Sequence, residues 1–142
     1  MKEDGALSVV PGREYEAAGV RFLTVPAYNR LPKLFHPKKN GWTGYVIVTA
    51  EGARVYVAGD TDATDEAAEV GCEIAVVPVG GKYTMNAAEA AGLVNKIRPA
   101  AAVPTHYGSI VGRDADGDVF AESVDSEIAV VKKLVFPAPD RG

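Results

Sequence analysis

The chain has 142 residues, 47% hydrophobic and 24% charged, the balance of one soluble globular domain spanning 1–142. A net charge of −4 argues against a nucleic-acid surface, which needs clustered Lys and Arg. No apolar run approaches membrane-spanning length, no basic start precedes an apolar N-terminal stretch, and Cys72 is alone, so a cytoplasmic setting without disulfides is expected.

Short apolar runs bounded by Gly, Pro or Asp recur along the chain, and each reads as a strand. The first two are Leu7 to Val10 and Val20 to Ala27. Gly44 to Ala50 and Ala53 to Ala58 follow, with Glu51-Gly52 between them as a two-residue hairpin loop. A short helix is expected over Thr64 to Val70, capped by Thr64. Cys72 stands just ahead of an apolar run and reads as a small core residue. Ile74 to Val79 and Ala100 to Pro104 are apolar throughout, as strands covered on both faces are. Between them Asn86 and Glu89 have capping-box spacing, and Ala87, Ala90, Ala91, Val94 and Ile97 trace one helical stripe that Pro99 ends. Strand, helix and strand in that order imply a right-handed crossover between parallel strands. Val119 to Val124 suggests a last short helix, and Glu127 to Val135 an edge strand. The fold class is therefore α/β, a mixed sheet with helices on its outer face.

Metal-competent side chains fall at strand ends. Asp60, in Gly59-Asp60-Thr61-Asp62, leaves its strand through a glycine, where a carboxylate can face a crevice or simply close a turn. His106, in Pro104-Thr105-His106-Tyr107-Gly108, can offer a ring nitrogen to a metal or serve as a hydrogen-bonded loop residue. Both strands belong to one sheet, so Asp60 and His106 are expected on the same rim. A third, weaker group is Tyr28-Asn29 with Phe35-His36-Pro37, a loop for substrate or metal or a plain surface connection. Lys33 and Lys38-Lys39 form a short basic cluster, read as a solvated loop or an anion-attracting rim. Gly80-Gly81-Lys82-Tyr83-Thr84 lacks phosphate-loop spacing and is read as a tight turn, with the following helix N-terminus offering N–H groups to an anion.

The series Val25-Pro26-Ala27-Tyr28-Asn29, Phe35-His36-Pro37, Gly44-Tyr45-Val46-Ile47, Tyr56-Val57-Ala58-Gly59-Asp60-Thr61-Asp62, Pro78-Val79-Gly80-Gly81 and Pro104-Thr105-His106-Tyr107-Gly108 resembles the C-terminal half of the metallo-β-lactamase superfamily. The nearest branch is that of the L-ascorbate-6-phosphate lactonase-like metal-dependent hydrolases. The resemblance implies half of an αβ/βα sandwich with a metal pair at the rim between two sheets. It implies that Asp60 bridges the metals and His106 binds the second, both as catalytic residues. His36 stands in for a metal histidine that some relatives carry near Tyr28-Asn29. Tyr28, Asn29, His36, Gly81 and Tyr107 are the implied substrate contacts.

The family's His-x-His-x-Asp-His cluster is not in this sequence, which has only two histidines. A mononuclear zinc site alone needs about three protein ligands and a water. Two functions are therefore carried forward. One is a hydrolase of a lactone, ester or phosphate-bearing small molecule acting through metal-bound hydroxide, with zinc or manganese held weakly by the isolated chain. The other is an inactive truncated remnant, or a binding or oligomerisation module of the same fold. Because the strands supply chiefly one layer, an apolar sheet face is expected to need cover from a second copy or from a missing N-terminal fragment.

Overall fold

A computed structural model describes residues 5–134. Seven strands form one sheet in sequence order: β1 (Glu14–Ala17), β2 (Val20–Pro26), β3 (Thr43–Val48), β4 (Arg54–Val57), β5 (Ile74–Pro78), β6 (Ala101–Thr105) and β7 (Ala129–Val130). The first four form an antiparallel meander, and β4 to β7 run parallel. Three helices, α1 (Asp65–Ala68), α2 (Ala87–Ile97) and α3 (Asp116–Ser123), each connect successive parallel strands. The mixed sheet with helices matches the expected fold class, and no described helix is long and apolar enough to cross a membrane.

Local chemistry explains most of the elements. Ala18 (φ 49°) and Gly19 (φ 76°) both take positive φ, the pair of angles a tight hairpin between β1 and β2 requires. Thr64 caps α1 by accepting the Ala67 N–H at 3.1 Å. Asn86 and Glu89 form the expected capping box of α2, whose buried stripe includes Ala87, Ala90, Ala91 and Val94. Small residues on that stripe let the helix lie close against Ala75, Val77 and Ala102 of the sheet. Phe120 of α3 completes the same core.

Five local expectations change. Leu7 to Val10 is not a strand; β1 lies at Glu14–Ala17, where alternating Glu and Tyr left little apolar signal. The β3–β4 connection is longer than two residues, since Thr49 N–H donates to Ala53 O at 2.8 Å and Gly52 N–H to Thr49 O at 2.9 Å. Helix α3 begins at Asp116, three residues before the expected start, and α1 is confined to Asp65–Ala68. The edge strand shrinks to Ala129–Val130, paired parallel to β6; Val135 lies outside the described residues.

The two faces of the sheet differ. One carries Leu23, Val25, Val46, Tyr56, Ala75, Val77 and Ala102, packed under the helices. The other carries the cross-strand row Tyr15, Phe22, Ile47, Val55 and Ile74 and the row Tyr45, Val57, Val76 and Val103. No charged residue interrupts these rows, and Tyr45 and Ile47 stay 37% and 38% exposed. The stacked pair Tyr15–Phe22 (5.6 Å) and the tilted pair Phe22–Tyr45 (5.9 Å) lie on this surface, which has no covering layer among the described residues.

Candidate metal centre

The rim at the C-terminal ends of β4 and β6 is where the polar groups gather. Gly59 turns with φ 69°, so the chain leaves β4 sharply and Asp60 projects outward, its side chain 47% exposed. His106 follows β6 directly with φ 59°, a left-handed conformation costly for a residue with a Cβ. Gly80 makes that conformation possible, because a Cβ at position 80 would strike the His106 carbonyl. Gly44 does the same for the neighbouring turn, where a Cβ would lie 2.5 Å from Ala58 O.

The third participant comes from the long β2–β3 connection, which folds back over this rim. Its base is pinned where Ala27 N–H donates to Trp42 O (2.9 Å) and Asn29 N–H to His36 O (2.7 Å). His36 thereby reaches the carboxylate: its Nε2 stands 3.6 Å from Asp60 Oδ2, while His106 Nε2 stands 3.5 Å from Asp60 Oδ1. Each imidazole faces its own carboxylate oxygen. Donor atoms sharing a tetrahedral ion at about 2.0–2.1 Å lie roughly 3.3 Å apart, so both separations fit a nitrogen and an oxygen on a common cation. Among the described residues no group of three or more His, Cys, Asp or Glu side chains forms a closed ligand cluster.

The two imidazoles differ in their outer contacts. His36 Nδ1 lies 3.2 Å from Tyr83 O. The ring packs edge-on to Trp42 at 5.3 Å between centroids and is only 16% exposed. His106 is looser, 34% exposed, and its Nδ1 is buried without a hydrogen-bond partner. In front of Asp60 a cleft of about 450 Å³ opens between Ala27, His36, Trp42, Thr43 and Gly59.

The remaining polar residues of the motifs build the rim. Thr61 is fully buried; its Oγ1 accepts Tyr28 N–H at 3.1 Å. Asp62 is buried as well, accepting Arg30 N–H at 2.8 Å on one oxygen and the Lys33 ammonium at 2.9 Å on the other. Lys33 also donates to Thr84 O (2.7 Å), so the expected basic cluster is largely neutralised: Lys33 is spent on Asp62, and Lys38 on Glu66 at 2.6 Å. The Lys38 ammonium holds the Glu66 carboxyl down at about 2.

The Tyr28 hydroxyl donates to Glu66 at 2.8 Å, and burial together with that carboxylate raises its pKa. Asn29 spends its amide on His36 N–H and Tyr83 O. Gly81, at φ 80°, gives its N–H to Met85 O at 2.9 Å, and Lys82 N–H goes to Gly80 O. At the start of α2 the Glu89 carboxylate accepts Asn86 N–H at 2.9 Å. Tyr107 is buried against Gly117 and Gly112, and burial raises its pKa. It lines a cavity of about 300 Å³ with His106, Ile110, Val111 and Leu134, on the far side of His106. Burial pushes the Cys72 thiol up to about 11, in keeping with a structural cysteine. Trp42 was missed by sequence reasoning: a lone Trp in a Gly-rich loop carries no periodic signal.

Comparison with known proteins identifies the family. The profile described as "Beta-lactamase superfamily domain" matches residues 3–106. A UPF0173 metal-dependent hydrolase of Aeropyrum pernix is 42% identical over 88 residues, covering 59% of this chain and 36% of that protein. One from Thermococcus onnurineus is 31% identical over 121 residues, covering 82% of this chain and 53% of that protein. Among solved structures, a protein from Parabacteroides distasonis described as a metal-dependent hydrolase superposes with TM-score 0.74 at 31% identity, over 88% of this chain and 56% of that one. The metallo hydrolase Igni18 of Ignicoccus hospitalis superposes with TM-score 0.64 at 25% identity, over 89% and 57%. The chain thus spans between 36% and 53% of the two curated relatives described here. It belongs to the beta-lactamase superfamily domain family, has the metallo-β-lactamase fold, and is related to the UPF0173 metal-dependent hydrolases.

Proposed function

We propose that this chain supplies one side of a hydrolytic metal centre that acts on a lactone, ester or phosphate-bearing small molecule. The observation that carries the reading is the convergence of two imidazole Nε2 atoms on the two oxygens of Asp60, at 3.6 and 3.5 Å. Asp60, His36 and His106 would hold divalent cations, zinc or manganese, with one imidazole beside each carboxylate oxygen. Such a cation polarises a carbonyl or phosphoryl oxygen and lowers the pKa of bound water. The chain's own part is to fix the donors and to shape the cleft beside Trp42. The L-ascorbate-6-phosphate lactonase-like branch is the substrate class that the motif series favours.

Three side chains are too few for a dinuclear centre, so the remaining ligands come from a polypeptide on the open sheet face. A second copy or an N-terminal fragment with the histidine cluster satisfies both the apolar rows and the ligand shortage. Light scattering on the isolated chain is expected to give twice the mass of one chain, reverting to one in Tyr45→Glu/Ile47→Glu. A stable monomer of the unsubstituted chain overturns the need for cover.

The presence of only two histidines favours a second reading, an inactive remnant or oligomerisation module. Assays of a lactone, a carboxylic ester and a phosphodiester with zinc or manganese separate the two. Slow, metal-dependent turnover abolished in Asp60→Ala supports the hydrolase. Turnover that persists in Asp60→Ala contradicts it, and no turnover of any substrate even beside a fragment carrying the histidine cluster supports the remnant.

A further inference from the structure

We propose that Tyr107 is a positioning residue for the metal centre: its ring, seated in a slot left open by Gly112 and Gly117, holds His106 in the left-handed backbone conformation that brings the imidazole to Asp60. The proposal deepens the hydrolase reading and rests on it for its purpose, while the geometry stands without a metal.

His106 needs a restraint of this kind. Its φ of 59° is a conformation that a residue with a Cβ keeps only when its surroundings impose it. Gly108, two positions on, is also left-handed at φ 76°, and a glycine imposes nothing on the chain around it. Tyr107 alone lies between the two, and it is only 4% exposed. A Cβ on Gly117 would lie 2.7 Å from Tyr107 Cζ and 2.9 Å from its Cε2, and a Cβ on Gly112 would lie 3.0 Å from Tyr107 Cβ. Packed side chains do not approach so closely, so the ring fills the space that both glycines leave.

The slot is fixed in turn. A Cβ on Gly112 would also lie 3.1 Å from Gly80 Cα, and Gly80 is the residue whose missing Cβ makes room for the His106 carbonyl. Gly117 stands in the first turn of α3, where glycine is a poor helix former, and the Tyr107 ring gives it a reason to be there. Helix α3 is fastened to the core by Phe120, which is fully buried. The restraint therefore runs from Phe120 through α3 and Gly117 to the Tyr107 ring, and from there along the backbone to His106. Ring carbons meet the Gly117 position as the hydroxyl does, so the ring itself is the strut.

The test is NMR of the metal-free chain, reading the three-bond couplings across the His106 φ, which report backbone angle and are insensitive to the loss of a neighbouring ring. The unsubstituted chain and Tyr107→Phe should both show the left-handed angle. Tyr107→Ala should lose it, and Gly117→Ala, which drives a methyl into the ring, should lose it too. In the Tyr107→Ala background, Gly117→Ala should have no further effect, because the methyl then meets an empty slot. Backbone amide spectra report folding, and Tyr107→Leu, which shortens the side chain without emptying the slot, is measured if the alanine variant does not fold. Zinc titration gives the second readout. Tyr107→Ala should weaken binding by roughly 10–100-fold, as for other contacts behind a metal ligand, and should add nothing to the loss from His106→Ala. A left-handed His106 in folded Tyr107→Ala or Tyr107→Leu overturns the proposal. So does a Tyr107→Phe variant that loses the angle, or a zinc loss that multiplies in the double variant. Should the unsubstituted chain bind no zinc, the hydrolase reading falls, while the couplings still decide the role of Tyr107.

Discussion

The two histidine arms of the rim are built on opposite terms. The His36 arm is irregular loop, yet nearly every polar group in it is engaged: Asn29 with Tyr83 O, Lys33 with Asp62, Lys38 with Glu66. The His106 arm springs from the regular strand β6, yet it carries a positive φ and a buried Nδ1 without a partner. Regular secondary structure is not what makes one arm rigid. Side-chain hydrogen bonds prearrange His36, whereas His106 is held by backbone constraint.

The largest effect that can break this comparison is at Lys33. Lys33→Ala leaves Asp62, 8% exposed, as an unpaired buried carboxylate, and such losses cost about 3–5 kcal/mol. Urea denaturation should show a drop of that size, and a cost below about 1 kcal/mol would mean that the pair does not anchor the loop. On the other arm, Gly80→Ala drives a Cβ into the His106 carbonyl. Overpacking of this kind costs about 1–3 kcal/mol, and the His106 ring resonances should shift while those of His36 do not.

A finer probe is the Thr64 cap of α1, which lies beneath the His36 arm. Thr64→Ala removes the 3.1 Å bond to Ala67 N–H and should cost about 1 kcal/mol in thermal or urea unfolding. The smallest effect concerns Glu66, whose carboxyl sits at about 2 instead of its ordinary 4.5 because Lys38 bonds its charged form. A depressed carboxyl stabilises the fold above the unfolded value and loses that contribution as pH falls from 4.5 toward 2. Glu66→Gln should flatten the pH dependence of stability in that window. The effect will be modest and reduced by salt, since the pair lies at the surface.

Much of this architecture was legible in the sequence, for physical reasons that differ by element. Helix α2 could be placed because its capping box and alanine stripe are local signals. β5 and β6 were legible because both faces contribute apolar residues, leaving an unbroken run. β1 was not, because Glu14 and Glu16 flank Tyr15 on an exposed edge where pairing with β2, not burial, makes the strand. The shared rim of Asp60 and His106 followed from strand ends alone. The internal roles of Tyr28, Asn29 and Asp62 did not, since a tyrosine, an amide and a carboxylate in a loop read equally as contacts for a ligand. Only their partners, Glu66, Tyr83 and Lys33, assign them to the scaffold.

The account stands or falls on whether Asp60 is the shared ligand between the two arms. Zinc titration of the folded chain by calorimetry, beside Asp60→Ala, His36→Ala and His106→Ala, measures this directly. The predicted result is weak binding that each histidine substitution reduces and that Asp60→Ala removes altogether. Binding that survives Asp60→Ala unchanged, or a chain that takes up no zinc at all, would contradict it.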